Sequence, residues 1–174
     1  MFQTSKELFP GDDVEEIQVG IADFKVGRNP SVLITLGLGS CVGVSLYDAV
    51  QKVGGLIHIM LPRMAEFEKR VNKPAKFADT GIPLLLEEVL KLGANRRLLE
   101  AKIAGGAQMF TGADQKFKLN IGERNIAVVR ETLKNLGIRI AAEDVGGSRG
   151  RTMVLDTTTG RVMVRVPGSH IKEI

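Results

Sequence analysis

The chain has 174 residues, of which 44% are hydrophobic and 25% charged, as in an ordinary globular domain with a sizeable core. A net charge of +4 with only 5% aromatic residues argues against a nucleic-acid surface, where basic side chains alternate with exposed aromatic ones. No signal peptide or membrane-spanning run is evident, and a single cysteine excludes an internal disulfide, so we expect a protein of the reducing cytoplasm.

The first half of the chain predicts mainly strands. Residues 1–13 show no period, so we expect a loose lead-in followed by one domain over residues 14–174. Residues 27–30, Gly-Arg-Asn-Pro, predict a turn, and the polar residues 63–76 predict an exposed loop of a length that suits a lid or a docking segment. Strands are expected at residues 17–23, 31–36, 42–48 and 53–61, the last two joined as a hairpin through residues 49–52.

The second half predicts two amphipathic helices. The first would be capped by Asp79 or Thr80 and end at Gly93, and the second would begin with an Asn120–Glu123 capping box. Gly137 would end the second helix. Their buried stripes are Ile82, Leu85, Leu86, Val89 and Leu90 in the first, and Ile126, Val129, Leu133 and Leu136 in the second. With strands at residues 99–103, 138–142, 151–156 and 162–166, this pattern indicates a single α+β domain whose helices pack on a largely antiparallel sheet system.

Cys41 stands in Gly-Leu-Gly-Ser-Cys-Val-Gly, and His58 follows seventeen residues later. One thiol and two histidines make a poor zinc cage, which leaves a buried apolar residue or a nucleophile as the main interpretations of Cys41. The three glycines favour the nucleophile, because they remove side chains from around the sulfur and free backbone N–H groups for a carbonyl oxygen. A core histidine between two isoleucines stays the simpler interpretation of His58.

The predicted hairpin brings these two residues within reach of each other. In an antiparallel hairpin, the residue numbers of any two directly opposite residues add up to the same value. If that value is 99, Cys41 lies directly opposite His58. If it is 101, the two are diagonal neighbours on one face of the sheet. An even sum would put them on opposite faces, and the turn has no Asn-Gly or Asp-Gly signature that fixes the register. Thr35, at the end of the preceding strand, is a candidate for orienting the imidazole, or simply a good strand former.

Several blocks of sequence resemble the CheD family of chemoreceptor glutamine deamidases. They are residues 35–44, 54–62, 105–110, 121–125, 144–147, 150–151 and 159–160, which cover nearly the whole chain after the lead-in. The resemblance implies a protein-glutamine glutaminase that converts receptor glutamines to glutamates without a cofactor. It also implies a layered α/β sandwich similar to the catalytic domain of cytotoxic necrotizing factors, chemoreceptor helices as partners and, in some members, the phosphatase CheC.

The matching positions make Cys41 the nucleophile, His58 the base and Thr35 the third member. The mechanism expected from them pairs a thiolate with an imidazolium, and the backbone N–H groups near Ser40 and Cys41 would hold the oxyanion. Phe110, in a loop-like stretch, is a candidate contact for the receptor or partner, or else a core residue.

Three other functions fit parts of the sequence. A non-catalytic adaptor would use a shallow surface groove at the Cys41 site to bind receptor or CheC helices, and it would be indifferent to loss of the thiol. A redox-sensing Cys41 would respond to mild peroxide without hydrolysing anything. Phosphate binding by residues 146–151 is disfavoured, because these glycines open no helix whose N-terminus would hold an anion.

Overall fold

Residues 14–67, 69, 73–109 and 120–174 are described by the structure, a computed structural model. They form two five-stranded sheets and two long helices. The first sheet contains strands β1 (Glu15–Gln18), β3 (Ser31–Leu38), β8 (Arg151–Asp156), β9 (Val162–Arg165) and β10 (Lys172–Glu173) in the order β1-β3-β8-β9-β10. The second contains β2 (Phe24–Arg28), β5 (Val53–Ile59), β4 (Val42–Asp48), β6 (Leu99–Gly105) and β7 (Arg139–Val145) in the order β2-β5-β4-β6-β7.

The sheets and helices stack in three layers, which confirms the predicted layered α+β fold. Helices α2 (Ala78–Lys91) and α3 (Ile121–Asn135) bury their apolar stripes against one face of the second sheet. The other face of that sheet packs on the first sheet through a separate apolar cluster that includes Leu33, Leu56 and Met153. Neighbouring strands are antiparallel except in the β1–β3 and β6–β7 pairs, which are parallel. The site discussed below lies at one end of the layer between the sheets.

The strand predictions are correct for β4 and β8, and the turn predicted at residues 27–30 is confined to residues 29–30. Gly27 and Arg28 end β2, which pairs with β5 as far as the Arg28–Val53 partnership, rather than forming a turn. Gly27 is required there by packing, since a Cβ atom at this position would lie 2.6 Å from Ser31 Oγ. The first predicted strand is also too long, because β1 ends at Gln18.

The predicted helix caps are not formed. The N-cap of α2 is Phe77, and the Asp79 carboxylate instead accepts a hydrogen bond from the Met64 N–H, while the Thr80 hydroxyl donates to the Pro74 carbonyl. At α3 the residue Asn120 is the N-cap, but it has a left-handed conformation and its side chain makes no capping bond. At α2 the two predicted capping side chains thus bond to residues that precede the helix. The helices end where glycine was expected to stop them, at Gly93 and Gly137, both with positive φ.

The polar stretch 63–76 contains two short helical segments in its described part. Met64–Phe67 forms the one-turn helix α1, and Pro74–Lys76 forms a 3₁₀ turn. Among the described residues, no helix is both long and apolar enough to cross a membrane. The predicted lead-in, residues 1–13, lies outside the described residues.

Candidate active site

The β4–β5 hairpin places Cys41 and His58 on the same face of the second sheet. Its register pairs Val42 with Ile59 and Gly43 with His58, so the numbers of opposite residues sum to 101. Cys41 immediately precedes β4 and is therefore a diagonal neighbour of His58, a relation that places Cβ atoms about 7 Å apart. Cys41 is half-buried and packs on the apolar cluster between the sheets, which is the side to which Leu56 and His58 of β5 also point.

Thr35 reaches His58 from the other sheet. It lies in β3, and its hydroxyl oxygen is 2.7 Å from His58 Nδ1. Just beyond it the pairing of β3 with β8 is irregular between Thr35 and Leu38, and Gly37 there has φ +70°. This bend takes the chain from the first sheet into the second, so that one continuous segment supplies both Thr35 and Cys41. The structure therefore brings the three predicted residues to one place.

The Thr35 hydroxyl decides which nitrogen of His58 carries the proton. A hydroxyl has one hydrogen, and Thr35 donates it to the Val19 carbonyl over 2.8 Å. Towards His58 the same oxygen can only accept, so the proton of the neutral ring is on Nδ1. His58 Nε2 is then an unprotonated lone pair, and it is buried with no partner among the described residues. This is the protonation state that a general base requires.

Burial keeps both reactive groups neutral. Desolvation lowers the pKa of His58 from 6.5 to about 4, since its ring is fully enclosed. Desolvation also raises the pKa of the Cys41 thiol, and a hydrogen bond from its own backbone N–H lowers it only partly back. Both directions favour a thiol beside a neutral imidazole at rest. They disfavour the thiolate–imidazolium pair that the sequence led us to expect.

The loop that leads to Cys41 is fixed by hydrogen bonds that its backbone carbonyl groups accept. The Gly39 carbonyl accepts from Ala107 N and the Cys41 carbonyl from Gly106 N, each over 2.8 Å. The Ser40 carbonyl accepts from the Asn125 side chain over 2.9 Å. In contrast, the N–H groups of Ser40 and Cys41 donate to no backbone carbonyl of the described residues. Neither N–H is used by the described backbone, and the Cys41 N–H faces its own sulfur, which makes both candidate donors for an oxyanion at the thiol.

Two of the glycines around Cys41 are explained by packing within the chain. A Cβ atom at Gly43, opposite His58, would lie 2.8 Å from Met153 Sδ and 3.0 Å from Leu38 Cδ1. A Cβ atom at Gly39 would meet Met109 Cγ at 3.2 Å. The sequence-based explanation, that these glycines remove side chains from around the sulfur, is thus incomplete, because Met109, Met153 and Leu38 lie against these two positions.

Comparison with known proteins decides the family. The family model described as CheD chemotactic sensory transduction matches residues 60–166, well over half of the chain. The chain belongs to the CheD family. The matched range begins beyond His58, so the family assignment does not depend on the three candidate residues.

Relatives of this CheD chain extend the match to almost its full length. A protein of Desulforamulus reducens named "Probable chemoreceptor glutamine deamidase CheD" is 62% identical over 159 residues, which cover 91% of this chain and 95% of the relative. A Clostridium botulinum protein of the same name is 52% identical over 162 residues, covering 93% and 99%. A solved structure, Bacillus licheniformis hypothetical protein YfiH, aligns over 72% of this chain and 50% of its own with 17% identity and a TM-score of 0.43. At that TM-score the likeness says nothing further about fold or function.

Four exposed apolar side chains belong to segments that carry or contact the candidate site of this CheD protein. Ile21 precedes Ala22, whose N–H donates to the His58 carbonyl, and Leu36 follows Thr35. Met60 is two residues beyond His58, and Met109 lies against Gly39. We call Ile21, Leu36, Met60 and Met109 the apolar rim. Phe110, which the sequence suggested as a contact, lies outside the described residues.

The glycine segment 146–150 lies beside the Cys41 loop without opening a helix. Gly146 N donates to the Gly105 carbonyl, and Gln108 N donates to the Gly147 carbonyl. The segment leads directly into β8, so a helix N-terminus for phosphate is absent from this part of the described chain. Its hydrogen bonds to Gly105 and Gln108 instead make it a neighbour of the Cys41 loop.

Proposed function

We propose that this CheD protein hydrolyses glutamine side chains of chemoreceptors to glutamate, with Cys41 as the nucleophile, His58 as the base and Thr35 as the residue that orients it. The observation that carries the proposal is the single free lone pair of the His58 ring, which lies on the same sheet face as the only cysteine. The names of the relatives from Desulforamulus and Clostridium support the substrate.

The first half of the reaction forms a thioester. As Cys41 Sγ attacks the carboxamide carbon, its proton passes to His58 Nε2, so no thiolate needs to accumulate beforehand. The oxygen that gains charge accepts hydrogen bonds from the N–H groups of Ser40 and Cys41, an interaction worth about 3 kcal/mol in comparable sites. The tetrahedral intermediate collapses when Nε2–H protonates the departing nitrogen, which leaves as ammonia.

The second half returns the enzyme to its starting state. Water gives a proton to His58 Nε2 and attacks the thioester carbon, and the C–S bond breaks. The sulfur then regains its proton from the imidazole, and the products are a glutamate side chain and free enzyme. Throughout, Thr35 accepts from Nδ1–H and shares the positive charge that forms on the ring in each half.

The apolar rim supports a helical protein as the substrate. Exposed Ile, Leu and Met side chains around a polar centre can cover the apolar residues that flank a glutamine on an amphipathic helix. We accordingly propose cytoplasmic receptor helices as the partner, with residues 14–174 acting as one deamidase domain. A CheC-type phosphatase, if present, would compete for the same rim.

Mass spectrometry of a receptor cytoplasmic fragment tests the proposal. Wild-type protein should add about one mass unit at defined glutamines and release an equal amount of ammonia, as amide hydrolysis requires. Cys41→Ala should bind the fragment and release none. Binding without ammonia release by the wild-type protein would instead identify an adaptor, and full activity of Cys41→Ala would remove the thiol from the mechanism.

A further inference from the structure

Asn125 is an amide buried inside the apolar face of α3. Its side chain is fully enclosed, and it lies one helical turn before Val129 on the face that packs against the second sheet. Its Nδ2 group donates both hydrogens, one to the Ser40 carbonyl over 2.9 Å and one to the Met60 carbonyl over 3.0 Å. Ser40 immediately precedes Cys41, and Met60 follows His58 by two residues. One amide therefore joins the segments that carry the thiol and the imidazole.

The helix that presents Asn125 is fixed against the same segments. A Cβ atom at Gly122 would lie 2.6 Å from the carbonyl oxygens of both Gly106 and Ala107. The N–H groups of Gly106 and Ala107 in turn hold the carbonyls of Cys41 and Gly39. Close backbone contact of this kind leaves the first turn of α3 little freedom to shift. The Asn125 amide thus acts from a rigid support.

The other half of the amide makes no contact that would explain its presence. Asn125 Oδ1 is buried without a hydrogen-bond partner among the described residues. A buried acceptor left unpaired destabilises a fold, typically by about 1–3 kcal/mol. An apolar side chain would fill this position of the helix without that penalty. The two donated bonds are what the amide adds.

We infer that Asn125 is a positioning residue for the reaction of Cys41, an inference that rests on the function proposed above. By holding the Ser40 carbonyl towards α3, it directs the following N–H, that of Cys41, towards the thiol and the substrate oxygen. By holding the Met60 carbonyl as well, it fixes the end of β5 relative to that loop. Small displacements of reacting groups lower catalytic rates by factors of the order of 100.

Asn125→Ala and Asn125→Asp remove the two donated bonds, the second without changing the shape of the side chain. We expect both to lower kcat on a receptor fragment by about 10- to 100-fold with little change in KM, because substrate contacts with the rim remain. The pH midpoint of Cys41 alkylation by iodoacetamide should move upwards, because the N–H that lowers the thiol pKa is no longer held against the sulfur.

Val129→Ala is the matched control, since it truncates a fully buried residue on the same helix without touching either carbonyl. It should lower Tm while leaving kcat per folded molecule and the alkylation midpoint unchanged. The inference is overturned if the Asn125 variants behave like Val129→Ala, or if both of them fail to fold, since the amide would then serve the fold alone. If wild-type protein releases no ammonia, the proposed deamidation fails, whereas the alkylation midpoints still report on the role of Asn125.

Discussion

The hydroxyl of Thr35, in one sheet, lies 2.7 Å from Nδ1 of His58, in the other. Because the Thr35 hydrogen goes to the Val19 carbonyl, this contact fixes the proton of the imidazole on Nδ1. In the triad proposed above, a threonine stands where many triads have a carboxylate, and it adds no negative charge to the enclosed site. Desolvation of the enclosed ring lowers the pKa of His58 to about 4.

Thr35→Val should therefore reduce catalysis more than it reduces stability. The variant keeps the shape but leaves Nδ1–H without an acceptor, so the ring can rotate or change tautomer; we expect kcat to fall by the order of 100-fold. Nitrogen-15 NMR of the histidine ring should show loss of the pure Nδ1–H form. Thr35→Ser is the control and should keep most activity. Wild-type kcat in Thr35→Val would exclude an orienting role.

The buried neutral His58 should make the fold sensitive to mild acid. Its pKa is about 4 in the folded protein against 6.5 ordinarily, so between these values the unfolded chain binds the extra proton. Stability must then fall as pH decreases through this window and level off below it, by about 2 kcal/mol between pH 7 and pH 5. Urea titration at both pH values measures the loss. His58→Asn, whose amide can still donate to Thr35, should lack this component; an equal loss in both proteins would contradict the buried neutral ring.

The raised pKa of Cys41 predicts a thiol that reacts slowly at neutral pH. Iodoacetamide should alkylate the folded protein at pH 7 more slowly than the urea-unfolded chain, since thiolate is the reactive form and folding suppresses it. The rate should climb continuously towards alkaline pH and change little in His58→Asn. A plateau of fast alkylation between pH 6 and 8 that disappears in His58→Asn would show a resting ion pair instead.

The apolar rim predicts substitutions that affect binding alone. Ile21→Glu and Leu36→Glu place a charge where we expect apolar residues of the receptor helix, and each should raise KM for a receptor fragment by about 10-fold or more. The alkylation rate of Cys41 should not change. Val50→Glu is the control, because Val50 is 68% exposed in the turn at the other end of the hairpin. Equal effects of all three variants would show that added charge, rather than the rim, weakens binding.

The sequence predicted those parts of the site that depend on local pattern. Alternation and β-branched residues located β4 and β8 correctly, and the hairpin argument limited Cys41 and His58 to a few registers. Asn125 was missed because a single amide gives no periodic signal of its own. A signal was nevertheless available: helical spacing places Asn125 on the same stripe as Val129 and Leu133, where a polar residue requires a partner.

Contacts between distant segments account for the predictions that failed. The Asp79 carboxylate accepts a hydrogen bond from the Met64 N–H instead of capping its own helix. Position 27 requires a glycine because the Ser31 side chain lies against it. Neither contact can be predicted from the sequence near the residue concerned. The register of the hairpin is a third example, since its turn has no glycine signature, and the Asp48 side chain makes hydrogen bonds there that the sequence did not predict.

Asp48 closes the hairpin turn with its carboxylate. Oδ1 accepts from Val50 N and Gln51 N, and Oδ2 accepts from Asn95 N before β6. Burial alone would raise the pKa of Asp48, but these three N–H groups outweigh it and hold the pKa below its usual value. The carboxylate is therefore ionised at neutral pH, and its stabilising effect is lost only as the pH falls through that lowered pKa.

Asp48→Ala should lower the free energy of unfolding at pH 7 by about 2–4 kcal/mol, because three backbone donors lose a buried, charged acceptor. Urea denaturation measures the change. Glu87→Ala is the control: it removes an exposed carboxylate paired with Lys91, which should cost no more than about 0.5 kcal/mol. Similar small losses in both variants would mean that the turn is held without Asp48, and that the register joining Cys41 to His58 is set by strand packing alone.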